Sequence, residues 1–205
     1  TAEYGENEPG RRVFVIDIPR AQILGSIDMG SGSKPHDSVF LPDNRHAVVT
    51  LETQDRIAIV DTQGLGILRT YPIGNGAREG HMIHLSPEGD RVYVGGRLGG
   101  GTVSVVYLDE DRNPTVIQTG LGAEAITVTP DGAHVWVINQ DENTISVIDP
   151  DALVELEKFT AATQPRRLAN LPVDLSGLMG GAPQTAARRK ALDGSGGASS
   201  TGRTP

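Results

Sequence analysis

His36, His81 and Glu124 are the residues of this 205-residue chain best suited to chemistry, because each stands six residues before a turn proline, Pro42, Pro87 or Pro130. Pro165-Arg166 mirrors Pro35-His36 and puts Arg166 in the same place a fourth time. Asp37 and Glu79 add carboxylates beside them. Two imidazoles and a carboxylate suit Zn, Fe, Cu or Ni, so His36, His81 and Glu124 are candidate metal ligands. The guanidinium of Arg166 offers instead a fork for an anionic group of a ligand. The bland alternative is that these residues satisfy loop backbone or face solvent. His84, three residues after His81, is expected on the opposite strand face. His46 and His134 are matched by Arg91 in the remaining unit, an equivalence that predicts solvent exposure.

What would position these residues is an internal repeat. Leu41-Pro42-Asp43-Asn44, Ser86-Pro87-Glu88-Gly89 and Thr129-Pro130-Asp131-Gly132 are turn signals spaced 45 and 43 residues apart. Each is followed by a β-rich run, Ala47 to Thr50, Val92 to Gly95 or Val135 to Ile138. A third run follows at Arg56 to Asp61, Thr102 to Tyr107 and Thr144 to Asp149. A weaker fourth closes each unit at Ile67 to Ile73, Thr115 to Thr119 and Leu153 to Phe159. Runs such as Ile57-Ala58-Ile59-Val60 and Val103-Ser104-Val105-Val106 carry apolar or small residues on both faces, so both faces are covered. Four short strands per repeat of this length predict an all-β fold: a β-propeller of four-stranded antiparallel blades, about three complete and one partial at each end.

The patterns SPEGDRVYVGG…GTVSVVYLD and TPDGAHVWVINQDENTISVIDP resemble the YVTN-type β-propeller repeat family over roughly Val13 to Asn170. The departures are Gly95-Gly96 at the end of the central second strand, Asn44 for the turn glycine, and Tyr107-Leu108 in the third strand. The resemblance implies an extracytoplasmic bacterial protein. The first reading of its function is a non-catalytic scaffold binding a protein or a small polar or anionic ligand at the channel rim. The alternative is an enzyme, lactonase-like or a haem d1 or quinoprotein-like redox protein, using rim His, Glu and Arg. An enzyme should gather a buried polar cluster around His36 and His81, whereas a scaffold should leave those side chains separately solvated. A repeat-built surface protein is the third class. No cofactor is called for, a metal ion at the three rim residues excepted.

In chain order the sequence predicts a loose segment over 1–10, the outer strands of a partial blade over 11–30, blades over 31–74, 75–120 and 121–163, the start of a further blade over 164–172, and a disordered low-complexity tail over 173–205. Propellers close with about four to eight blades. The chain is therefore expected to be part of a longer propeller, or to complete a ring as a homodimer. A net charge of −8 disfavours nucleic acid and anionic membranes as partners, and no apolar run is long enough to span a bilayer. Cysteine is absent, which excludes disulfides and thiolate catalysis. Gly95 to Gly101 reads as a flexible hairpin loop lacking the lysine of a phosphate-binding motif. The acidic turns Asp109-Glu110-Asp111 and Asp141-Glu142 read as solvated loops. Ser38, Ser86 and Ser104 have no nucleophile-elbow context. Tyr93 and Trp136, at equivalent strand positions, are expected to pack between blades.

Overall fold

The computed structural model describes residues 1–5, 8–108 and 111–169. They form fourteen β-strands and a single 3₁₀ turn. Strands β1 (Arg12–Asp17) and β2 (Gln22–Asp28) pair as a half-blade. Three antiparallel meanders of four follow. The first comprises β3 (Pro35–Phe40), β4 (His46–Leu51), β5 (Arg56–Asp61) and β6 (Gly66–Pro72). The second comprises β7 (Arg78–Leu85), β8 (Arg91–Leu98), β9 (Thr102–Tyr107) and β10 (Thr115–Gln118). The third comprises β11 (Ala123–Val128), β12 (Val135–Asn139), β13 (Thr144–Asp149) and β14 (Val154–Thr160). These are propeller blades, and the all-β class and the four-stranded unit are as the repeat predicts.

Each blade turns its first strand into its second with the same hydrogen bond. Asn44 N donates to Leu41 O at 3.0 Å, Gly89 N to Ser86 O at 3.0 Å, and Gly132 N to Thr129 O at 2.8 Å. The donor is left-handed each time, with φ of 53°, 77° and 68°. Asparagine tolerates that conformation, which explains its standing where the other blades use glycine.

The core lies between blades. Ile27 and Met29 of the half-blade side pack with Val49, Leu51, Ala58 and Val60 of the first full blade. Val48, Ile57 and Ile73 then meet Ile83, Val92 and Val94 of the second. Tyr93, Val103 and Val105 meet Ile126, Val135 and Val137 of the third. Every residue of β9 is buried, as expected of an inner strand covered on both faces. Tyr93 is buried between blades, whereas Trp136 is half-buried and packs edge-on against Phe159 of its own blade. Ile16 and Ile18 of the half-blade remain exposed beside an apolar cleft of about 280 Å³.

Three expectations change. Thr1 to Glu3 are not loose: Ala2 bridges Val13, Thr1 exchanges backbone hydrogen bonds with Phe14, and Glu3 N donates to Arg12 O. The free edge of β1 captures this segment in place of a second strand. Gly95 to Leu98 is not loop either, since β8 runs to Leu98 in register with β7. A Cβ on Gly95 would stand 2.8 Å from Ala123 O, so glycine there permits the close approach of β11. Gln164 to Ala169 contains no strand; Gln164 N donates instead to the side chain of Asn143. The tail over 173–205, expected to be disordered, and the remainder of the expected further blade lie outside the described residues.

Candidate active site at the channel mouth

The first strands β3, β7 and β11 are neighbours, and all three carry a one-residue bulge at the same end. The register slips between Pro35 and Ser38, between Gly80 and Ile83, and between Ala123 and Ala125. The residues freed from regular pairing are therefore His36-Asp37, His81-Met82 and Glu124. A bulge bends the strand and re-aims its side chains, so the rim residues turn toward one another instead of alternating on the blade faces. Two residues before each of His36, His81 and Glu124, the chain is left-handed: Lys34 at φ 47°, Glu79 at 55° and Gly122 at 69°. Such positions cost about 1–3 kcal/mol for a non-glycine residue, a strain that collects at functional sites.

His81 is the centre of what these bends assemble. It is buried, and its ring stacks on that of His36 with centroids 3.7 Å apart. Its Nε2 lies 3.5 Å from Glu124 Oε2 and its Nδ1 lies 3.9 Å from Glu52 Oε1. Arg97 Nε approaches the same Glu124 oxygen at 3.2 Å, and Lys34 Nζ stands 3.3 Å from Glu52 Oε2. Tyr4 completes the shell, its hydroxyl 3.5 Å from Glu52 and its ring edge-on to His36 and beneath Lys34. The His81 carbonyl is fixed as well, accepting from Thr50 Oγ1 at 2.9 Å and from His36 Nδ1 at 3.3 Å.

Burial drives the His81 pKa down to about 3, reinforced by the His36 ring and the charges of Arg97, Lys34 and Arg167. The two carboxylates beside it pull the other way, but they are themselves neutralised by Arg97 and Lys34. The imidazole is therefore neutral at physiological pH, with one proton for two ring nitrogens that each face a carboxylate. Glu79 is pushed up by burial, then by the nearness of the Glu52 carboxyl.

The sequence-predicted residues divide. His36, His81, Glu124 and Glu79 belong to this cluster. Asp37 lies nearby but is spent on backbone, its Oδ2 accepting from Ile83 N and its Oδ1 from Ser38 N. Arg166 is exposed, and it is the charge of Arg167 that reaches His81. Among the described residues no group of three or more His, Asp and Glu is arranged to hold a metal ion. The stacking of the two imidazoles is the physical reason, since parallel rings direct their nitrogen lone pairs side by side instead of at a common point. His46 is half-buried, its Nδ1 held 2.5 Å from Asp43 in the turn, so equivalence with Arg91 did not mean exposure. His84 contacts the Leu85 carbonyl through its Nδ1. Glu142 accepts from Leu121 N and pairs with Lys158 at 3.4 Å, a structural use for that acidic turn.

Glu52, Arg97 and Lys34 were missed from the sequence. The signal was present: Glu52 and Arg97 each stand ten residues after a turn proline, and Lys34 and Glu79 each stand eight before one. In an antiparallel blade the end of the second strand lies beside the start of the first, so both offsets fall on the same rim.

The fold and this site define the protein as a β-propeller with a polar, partly buried cluster at the bulged ends of its blades' first strands. Residues 12–167 match the family described as lactonase, 7-bladed beta-propeller, and the chain belongs to that family. That family differs from the YVTN-type repeat that the strand motifs resemble. Among solved structures, hydrazine synthase of Kuenenia stuttgartiensis is similar at 21% identity and TM-score 0.66, over 80% of this chain and 47% of that one. A candidate 6-phosphogluconolactonase of Bacteroides fragilis is similar at 21% identity and TM-score 0.62, over 74% and 49%. A second candidate of that description, from Bacteroides uniformis, gives 20% identity and TM-score 0.60 over 75% and 49%. At these identities the likeness is one of fold, and the chain spans about half the length of those proteins. No curated protein matches it.

Proposed function

We propose that this chain supplies one arc of a lactone-hydrolysing channel mouth, with Glu124 as the proton-transferring carboxylate. The observation that carries the reading is the convergence of His81 and Arg97 on one oxygen of Glu124, at 3.5 and 3.2 Å. A rim used only for scaffolding would leave them separately solvated. Membership of the lactonase family and the two candidate 6-phosphogluconolactonases among the similar folds support the enzymatic alternative over the scaffold.

Chemically, Glu124 accepts a proton from water as its oxygen attacks the lactone carbonyl. The ring C–O bond then breaks, and the departing oxygen takes a proton back from Glu124. Arg97, 3.2 Å from the same carboxylate, pairs with it and offers its remaining N–H groups to the developing oxyanion. Lys34, Arg97 and Arg167 make this arc of the mouth attractive to an anionic substituent, as on a phosphorylated sugar lactone.

The test is hydrolysis of 6-phosphogluconolactone and of unphosphorylated glucono-δ-lactone, followed by acid release at constant pH. Glu124→Gln is expected to lower kcat by about 100-fold or more. Wild-type hydrolysis no faster than the spontaneous rate, with the lactone still bound, would return the mouth to a scaffold.

A further inference from the structure

We propose that Glu79, Glu52, His81 and Glu124 form a proton relay joining a polar side cavity between two blades to the channel mouth. The cavity measures about 220 Å³ and is lined by Glu52, Thr53, Asp55, Arg78, Glu79 and Leu98. Glu79 and Glu52 share its wall, and burial, then the nearness of the Glu52 carboxyl, pushes the Glu79 carboxyl above its ordinary range, toward the protonated form. Glu52 is almost wholly buried and faces His81 Nδ1 across 3.9 Å. On the far side of the ring, Nε2 faces Glu124 across 3.5 Å. The four groups thus stand in a line through the blade interface. Arg97 anchors its mouth end and Lys34 its buried carboxylate.

His81 is built to carry a proton instead of storing one. Its Nδ1 is buried without a hydrogen-bond partner among the described residues. An orphaned buried nitrogen is uncommon unless it is used. The groups acting on the ring come from every neighbouring segment: His36 on β3, Lys34 before it, Glu52 after β4, Arg97 on β8, Glu124 on β11, and Arg167. The cations, together with burial, keep the ring neutral, so it passes a proton by changing tautomer. A proton leaves Glu52 and bonds to Nδ1 while the Nε2–H bond breaks and its proton goes to Glu124; the reverse passage restores the first tautomer. Each passage leaves the ring set for the opposite direction. That alternation suits a hydrolysis in which a proton taken from water is returned to the departing oxygen, and this use rests on the proposed function. Both separations exceed hydrogen-bond length, so the carboxylates close on the ring by about 0.5–1 Å when transfer occurs.

The relay itself is tested without substrate, by imidazole nitrogen NMR at pH 7 on the full chain. The His81 signals are assigned by their loss in His81→Asn. The wild type is expected to show both ring nitrogens averaged between the protonated and unprotonated positions. Glu124→Gln should move the proton onto Nδ1, and Glu52→Gln should move it onto Nε2. One unchanged tautomer in wild type and Glu124→Gln overturns the relay; Glu124 is partly exposed, so this decides the matter even if Glu52→Gln fails to fold. In lactone hydrolysis Glu52→Gln should lower kcat about tenfold with KM unaltered, and an unchanged kcat also overturns it. Absence of hydrolysis in the wild type refutes the proposed activity alone, and the tautomer measurement still decides the relay.

Discussion

His81 should make the stability of this propeller arc fall steeply in mild acid. His81 is 5% exposed, and its pKa in the folded chain lies at about 3, against an ordinary value of 6.5. The sign follows from which state takes the proton. Below pH 6.5 the unfolded chain protonates the imidazole and the folded chain does not, so acid favours unfolding. The contribution of the neutral ring is present above pH 6.5 and is lost progressively as the pH falls toward 3. At pH 5 the loss from this one residue is about 2 kcal/mol. Against a domain stability of about 5–15 kcal/mol that is a large fraction. The assay is urea unfolding of wild type and His81→Gln at pH 7.5 and pH 5.0. The wild type should lose about 2 kcal/mol more than the variant over that interval. Parallel losses in the two proteins would refute the reasoning, because they would mean that His81 protonates in place, its flanking carboxylates outweighing its burial.

Two predictions concern the blade interfaces that hold the mouth in place. Val105→Ala empties part of a wholly buried position between the second and third full blades, and it should cost roughly 1–3 kcal/mol in chemical denaturation. Gly95→Ala places a methyl group 2.8 Å from Ala123 O and should cost about 1–3 kcal/mol by pushing β11 away. Gly66→Ala, where a Cβ meets nothing within 4 Å, is the control and should unfold at the same urea concentration as wild type.

Four-strand blades could be read from the chain because their determinants are local and repeated. The turn prolines, the left-handed residue two positions later, and the Val-rich third strands recur in each unit, and each acts within a few residues of itself. His36, His81 and Glu124 were legible for the same reason, since equivalence in a repeat implies equivalence in space. The error over Gly95 to Leu98 came from taking glycine as a loop signal. At Gly95 it answers to a backbone on the next blade, which no local rule can see. Asp37 misled in a similar way: a carboxylate beside His36 looked available, but the amide of Ile83 on the neighbouring blade had claimed it.

What the sequence determined by itself was periodicity: the strand count per unit, the turn type, and which residues occupy corresponding rungs. Tertiary structure decided everything that depends on two blades at once. It brought Glu52, from the end of one blade's second strand, against His81 at the start of the next blade's first strand. It also laid Arg97 on Glu124 one blade further on. The bulges supplied the geometry, by releasing the rim residues from the alternation that strand pairing would impose. Burial supplied the chemistry, because an imidazole that would titrate near neutrality in water stays neutral only where its neighbours exclude solvent.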